Sequence, residues 1–307
     1  MKIVVTGGAG FIGANLCRVL VTRGVDVIVV DDLSTGDRSN LDDLPVDLRV
    51  GSILDGDLLT QACAGADSVV HLAALASVPG SIKDPAGTHA VNATGTLRVL
   101  EAARRAGAHV IVASSSAVYG DDPSPRKSET LAVRPLSPYA VSKVATEAYA
   151  TAWQHCYGLP TLAFRFFNVF GPLQPADHVY AAVVPAFVSA ALAGRPLTVF
   201  GDGRQTRDFV YVGTVAGLLA EAALERRMHP SPVNLALGMQ TTVLELIALL
   251  EAAVGHPLER RHEPPRAGDI RDSHADDALL RRLFPTLAPV SLPDGLAQTV
   301  AWFRSLA

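Results

Sequence analysis

Lysine is scarce in this chain: four residues against twenty-two arginines. Arginine serves wherever a plain positive charge suffices, which singles out each lysine. Cysteine is scarcer still. Cys17, Cys63 and Cys156 are odd in number, lack metal-ligand spacing and fall in helical patterns. They exclude a disulfide framework and read as buried free thiols. Charge is not concentrated: the net value is −4 and no basic block stands out, so nucleic acid is not an expected partner. The longest apolar stretch, Tyr180 to Gly194, is interrupted by Pro185 and is too short to span a membrane. The N-terminus has Lys2, the short run Ile3 to Thr6 with three apolar residues, and then glycines. A signal peptide needs a longer apolar region, so the expected location is the cytoplasm. No internal repeat or low-complexity tract appears.

What is present suffices for a large core: 307 residues, 49% of them hydrophobic. The first half alternates β-branched runs with helical stretches. The runs are Lys2–Thr6, Val25–Val30, Leu48–Val50, Ser68–Leu72, His109–Ser114 and Thr161–Phe166, and the helices lie near 12–23, 56–64, 85–106 and 139–157. Such alternation predicts βαβ units, a doubly wound parallel sheet of the Rossmann kind with helices on both faces. After about residue 167 proline and glycine become frequent, and helices near 181–193, 213–227, 242–254 and 275–283 alternate with short strands. The expected division is a nucleotide-binding domain over 1–167 and a smaller mixed α/β domain, mainly 168–307. Residues 205–230 are expected to rejoin the first, with Arg207–Val212 as the returning strand.

The first strand runs into TGGAGFIG, Thr6 to Gly13, where Gly7, Gly10 and Gly13 are evenly spaced before a helix. Glycines let the backbone turn sharply and approach a pyrophosphate, and the helix start offers free amides to the anion. Asp31 ends the second strand, eighteen residues beyond Gly13. An acid there suits the ribose hydroxyls and repels a 2′-phosphate, which favours NAD over NADP; a plain turn residue or helix cap is the alternative. HLAALA, His71 to Ala76, ends another strand in small residues, over which a dinucleotide can lie. His71 itself reads as a core histidine.

SSSAVYG, Ser114 to Gly120, ends the fifth strand, and YAVSK, Tyr139 to Lys143, follows nineteen residues later. The i, i+4 spacing puts Tyr139 and Lys143 on one helix face. A free phenol titrates near ~10, so a working base at about pH 7 needs ~4 kcal/mol in favour of the phenolate. A neighbouring ammonium and a cationic nicotinamide could supply it. A serine hydroxyl would orient a substrate alcohol or relay its proton. The three serines are therefore read as part of an active site rather than as a frayed strand end. His89, His155 and His262 have no partner spacing, and no metal is expected.

These motifs, in this order, resemble the extended short-chain dehydrogenases/reductases, in the NAD-dependent epimerase/dehydratase group, across nearly the whole chain. LASVPGSIKDP, LSPYAVSK, FRFFNVFG, YAAVVP, VFGDGRQTRDFVYV and RAGDIRDSHAD are similar to segments of the UDP-sugar 4-epimerases, especially those acting on UDP-N-acetylglucosamine. The resemblance implies Ser115, Tyr139 and Lys143 as catalytic residues. It implies NAD held by Gly7, Gly10, Phe11, Ile12 and Gly13 in the first loop. Asp31, Asp32, Ser34, Thr35 and Gly36 follow after the second strand, Ser52 and Ile53 after the third, and Leu72, Ala73 and Ala74 after the fourth. Tyr139, Lys143 and Phe166 complete the implied cofactor-binding set. For a UDP-sugar it implies Ser77, Ser115, Ser116, Asn168, Ala182, Val183, Thr198, Val199, Phe200, Arg207, Arg266, Asp269 and Ser273. Arg207 and Arg266, taken singly, read as surface arginines. Dehydratases carry an acid pair after the catalytic Ser/Thr; here Ser116 and Ala117 stand there. Ser273 leaves room for an N-acetyl group, and Asn168 stands where uronate epimerases would have Thr. Leu173 departs from the Arg of many relatives. The implied activity is UDP-hexose 4-epimerisation by a homodimer. The alternatives are a uronate epimerase, a decarboxylase, a net oxidoreductase and a non-catalytic NAD sensor.

Overall fold

The structure is a computed structural model and describes residues 1–176, 182–265 and 272–306. The chain divides into two compact units. One comprises Met1–Asp122, Glu129–Phe166 and Val215–Leu235; the other comprises Pro123–Ser128, Phe167–Thr214 and Ala236–Ala307.

The first unit is built on seven parallel strands: β1 (Lys2–Thr6), β2 (Asp26–Asp31), β3 (Asp47–Val50), β4 (Ser68–His71), β5 (His109–Ser115), β6 (Thr161–Phe166) and β7 (Val233–Leu235). Their order is β7-β6-β5-β4-β1-β2-β3, so chain direction across the sheet reverses between β1 and β4. The strands are apolar on both faces because both are covered: Ile3, Val4 and Val5 of β1 are fully buried in succession. Helices α1 (Phe11–Thr22), α2 (Gly56–Cys63), α3 (Gly95–Ala106) and α4 (Pro138–Tyr157) are the crossovers. Leu59, Val99 and Leu100 from α2 and α3 pack on Val4, Val69 and Val110 of the sheet. Ser137 caps α4, accepting from the Ala140 amide at 3.1 Å, and Pro138 occupies its first turn.

Three sequence expectations change. The helix near 85–106 is broken into Pro85–His89, a π-helical turn Ala90–Thr94, and α3. The wide turn aims Asn92 away from the helix. Its side chain accepts from the Leu75 amide (2.8 Å) and donates to the Leu75 carbonyl (3.2 Å) and the Ser142 hydroxyl (3.0 Å). Arg207–Val212 is no strand of the large sheet; the last strand added to that sheet is Val233–Leu235, in register with Phe164–Phe166. Cys17 and Cys63 are buried, but Cys156 is exposed near the end of α4.

In the second unit Thr206–Arg207 pairs antiparallel with Thr241–Thr242 and parallel with Asp272–Ala275, which also pairs with Arg126–Lys127. Phe209–Tyr211 pairs with Asn168–Phe170, and Leu197–Phe200 with Arg260–Glu263. Asp208, fully buried, ties these pieces together. Its carboxylate accepts from the amides of Leu237 (3.1 Å), Gly238 (2.9 Å) and Ala275 (3.4 Å), and burial pushes its pKa up to about 6. Among the described residues no helix is long and apolar enough to cross a membrane.

Candidate active site

The glycine loop is shaped by close backbone approach. Gly7 has φ +71°, and a Cβ on it would lie 2.6 Å from the Ala73 amide nitrogen. A Cβ on Gly13 would collide with the Gly7 carbonyl. We therefore expect Gly13→Ala to cost about 2 kcal/mol or more, read as a lower denaturant midpoint. Gly10 is less crowded, its nearest neighbour being the Gly7 carbonyl at 3.3 Å. It sits at the head of α1, which has no side-chain cap and no acid in its first turn, so the first-turn amides at Phe11, Ile12 and Gly13 suit an anion.

Asp31 is buried. One carboxylate oxygen accepts from the Ala9 amide (2.9 Å) and the other from the Leu33 amide (2.9 Å), so it braces the glycine loop as well as ending β2. Asp32 accepts from the Ser34 amide at 3.0 Å, and Gly36 crowds the Ala9 backbone and Asp31. Thr35 is exposed. Ser52 caps the turn after β3, accepting from the Leu54 amide at 3.2 Å, while Ile53 is in the core against Gly95. Leu72, Ala73 and Ala74 are half-buried at the end of β4. His71 behaves as a core histidine. Thr6 Oγ1 is 2.7 Å from one ring nitrogen and Thr96 Oγ1 is 3.1 Å from the other. Burial, then the charge of Lys143, pulls its pKa down to about 3. These groups stand around the carboxyl ends of β1 and β4, the switch point where open α/β sheets bind ligands. The glycine-rich loop, the uncapped helix start and the buried acid fit a dinucleotide.

The three serines separate by role. Ser114 is buried and donates to Glu147 Oε1 at 2.5 Å. Ser115, the last residue of β5, accepts from the Ala117 amide at 3.2 Å, and its hydroxyl acts on the Tyr139 phenol in the direction that lowers that group's pKa. Ser116 begins a 3₁₀ turn over Ser116–Tyr119. Tyr139 and Lys143 share one face of α4, with Lys143 Nζ 5.8 Å from the Tyr139 ring centre and donating to the Ala113 carbonyl at 2.8 Å. Lys143 is 5% exposed; burial pulls its pKa down to about 8, against the opposing charge of Glu147. Packing around Tyr139 raises its phenol above the ordinary value, and the Ser115 bond acts the other way. The chain's own groups therefore leave the phenol protonated, and a further positive charge is needed to make it a base. Phe166 is half-buried at the end of β6.

Ser77 caps the helix Val78–Lys83, accepting from the Gly80 amide at 3.0 Å. In the second unit, Asn168 donates its side-chain amide to the Asp208 carbonyl at 3.2 Å, and Arg207 lies in register with Ser273. Val183, Thr198 and Phe200 line a groove of ≈ 600 Å³ together with Phe187, Arg195 and Arg261. Arg195 and Arg261 were not singled out by sequence motifs. Val199, between Thr198 and Phe200, is fully buried, because strand side chains alternate. Any contact it makes there is through its main chain. Ala182 precedes the helix Val183–Leu192. Arg266 and Asp269 lie outside the described residues. Asn92 is a further residue the motifs did not single out; it bonds both Leu75, in the segment that follows β4, and Ser142 of α4. Among the described residues no group of three or more His, Cys, Asp or Glu side chains could hold a metal ion.

Comparison with known proteins agrees with this geometry. The chain is 38% identical over 312 residues to a UDP-glucose 4-epimerase of Mycolicibacterium smegmatis, covering 99% of each. Its structure is similar to that of a UDP-N-acetylglucosamine 4-epimerase from Methanobrevibacter ruminantium in complex with UDP-N-acetylmuramic acid (TM-score 0.94, 35% identity, 100% of this chain and 99% of that one). It is likewise similar to the Thermus thermophilus UDP-glucose 4-epimerase in complex with NAD (TM-score 0.89, 35% identity, 100% of both chains). Residues 3–236 match the NAD dependent epimerase/dehydratase family, and the chain belongs to that family.

Proposed function

We propose that the chain is a UDP-hexose 4-epimerase that inverts C4 of UDP-glucose, UDP-N-acetylglucosamine or both. The observation that carries this reading is the grouping of Ser115, Tyr139 and buried Lys143 at the carboxyl end of the parallel sheet, with Ser116 and Ala117 where a dehydratase would need acids. Full-length similarity to proteins named as 4-epimerases supports it.

Tyr139 takes the proton from the sugar 4-hydroxyl and gives it back to the 4-oxygen after the sugar has presented its other face, and Ser115, beside the phenol, orients that hydroxyl. Lys143 supplies the fixed positive charge one helical turn away and suits a ribose hydroxyl as a compact donor. Gly7, Gly10 and the start of α1 would hold the NAD diphosphate, and Asp31 its adenosine ribose. The chemistry NAD supplies when bound is reversible hydride acceptance, with the sugar passing through its 4-ketone and no net redox change. Asn168, Arg207 and Arg266 are assigned to anchoring the nucleotide, so that the sugar alone turns over. Val183, Thr198 and Phe200 are assigned to the base, and Ser273 to the space beside C2.

The test is incubation of the purified protein, without and then with added NAD, with UDP-glucose, UDP-N-acetylglucosamine and UDP-glucuronic acid separately. Proton NMR of the anomeric region follows the products. A galacto-configured product from either of the first two is expected. Product from the glucuronate alone, CO2 release, net NADH, or no conversion in any tube rejects the proposal.

We also infer a homodimer formed through α3 and α4. Val141 and Tyr157 of α4 are apolar or aromatic side chains left more than half exposed, and contact with a second copy would cover them. Light scattering should give twice the 32.2 kDa chain mass. A monomer at micromolar concentration would reject the assignment.

A further inference from the structure

Behind the proposed catalytic groups lies a buried ion pair that the chemistry above does not use. Arg165 of β6 donates to Glu147 of α4 through Nε (2.8 Å) and Nη2 (2.8 Å), and the two side chains are 4% and 7% exposed. Ser114 donates to the same carboxylate at 2.5 Å. The Tyr119 ring stacks on the guanidinium, 4.7 Å from its carbon, and the Tyr119 hydroxyl donates to Asn234 Oδ1 at 2.6 Å. Arg165 Nη1 is buried and has no acceptor among the described residues. Pairs of this kind give little stability, since a hydrophobic pair of similar volume does as well. Stability alone therefore gives no reason for the pair.

Its position does. Glu147 is one helical turn beyond Lys143, and Ser114 immediately precedes Ser115. One carboxylate thus ties the helix bearing Tyr139 and Lys143 to the strand bearing Ser115. Lys143 Nζ has a neutral acceptor, the Ala113 carbonyl, as its direct partner. The ionisable groups around it are few. His71 of β4 is neutral, Tyr139 on its own helix is protonated, Tyr119 is protonated against the guanidinium, and Arg165 is taken up by Glu147. Glu147 is the anion whose field reaches the ammonium. We propose that Glu147, clamped by Arg165 and Ser114, is a positioning residue that keeps Lys143 in its ammonium form and holds Lys143 and Ser115 in mutual register. The proposal rests on the catalytic reading of Lys143 for its effect on rate, but its electrostatic core does not.

The scarcity of lysine makes the test direct. Lysine labelled at Cε and Nζ should give four side-chain NMR signals, and Lys143→Met identifies the one from Lys143. That signal should titrate near 8 in the native protein and about one unit lower or more in Glu147→Gln. The alkaline limb of the kcat profile should move with it: kcat about fivefold lower at pH 8, little changed at pH 6, and KM nearly constant. An unmoved Lys143 midpoint, or a loss of kcat equal at all pH values, overturns the proposal. Should Glu147→Gln fail to fold, the double variant Glu147→Gln, Arg165→Met removes both charges and retains a packed core. It should show a smaller drop in the same direction, and no drop is again a refutation. Because the titration needs no substrate, absence of epimerase activity would reject the proposed function and leave this measurement standing.

Discussion

Replacing Tyr139 by Phe is expected to lower kcat for C4 inversion by roughly 10²–10⁴-fold, the range for loss of a positioned acid–base group. KM for the nucleotide sugar should change little, because the substitution removes one hydroxyl and leaves the ring. The packing supports so clean an experiment: Tyr139 lies in the first turn of a 20-residue helix capped by Ser137, and its phenol meets Ser115. The fold should be unchanged, since that bond is not part of the core. Steady-state kinetics, with stability measured in parallel, decides it. A kcat within tenfold of the parent would mean that another group moves the proton, and equal losses in stability and rate would reduce Tyr139 to a packing role.

Lys143→Met should do two opposed things: abolish most of the activity and stabilise the protein. The side chain is buried with its pKa pulled from 10.5 to about 8. A folded-state value below the unfolded one means that folding works against the charge. Below pH 8 both states are protonated and the full penalty applies, about 3 kcal/mol. Between pH 8 and 10.5 the unfolded chain binds more protons, so stability rises with pH through that window. Methionine removes the penalty but also the hydrogen bond to the Ala113 carbonyl, worth about 1 kcal/mol. The net expectation is a gain of about 1–2 kcal/mol at pH 7, with the rise between pH 8 and 10.5 abolished. Denaturant unfolding across that range checks it. A less stable variant would show that the ammonium is better solvated than its packing implies.

The sequence by itself determined the parallel sheet and the loop that opens it. Strands such as Ile3-Val4-Val5 are apolar without alternation, which only burial on both faces allows, and the Gly7 and Gly13 positions admit no side chain. It also determined that Tyr139 and Lys143 share a helix face, because four residues make about one turn. Those are local facts, carried by neighbours in the chain. Tertiary structure decided the rest through contacts distant in sequence. The π-helical turn exists because Asn92 bonds Leu75, seventeen residues back, and Ser142, fifty residues on. Val233–Leu235 is three residues long and becomes a strand only because β6 offers an open edge. Which serine faces the phenol is not readable from the SSS triplet alone, since it depends on where β5 ends; the family resemblance pointed to Ser115, while the burial of Ser114 against Glu147 came only from the tertiary structure. The buried pair of Glu147 and Arg165 looks in sequence like two ordinary surface charges. Only the packing of α4 on β5 and β6 removes them from water and sets one of them beside Lys143.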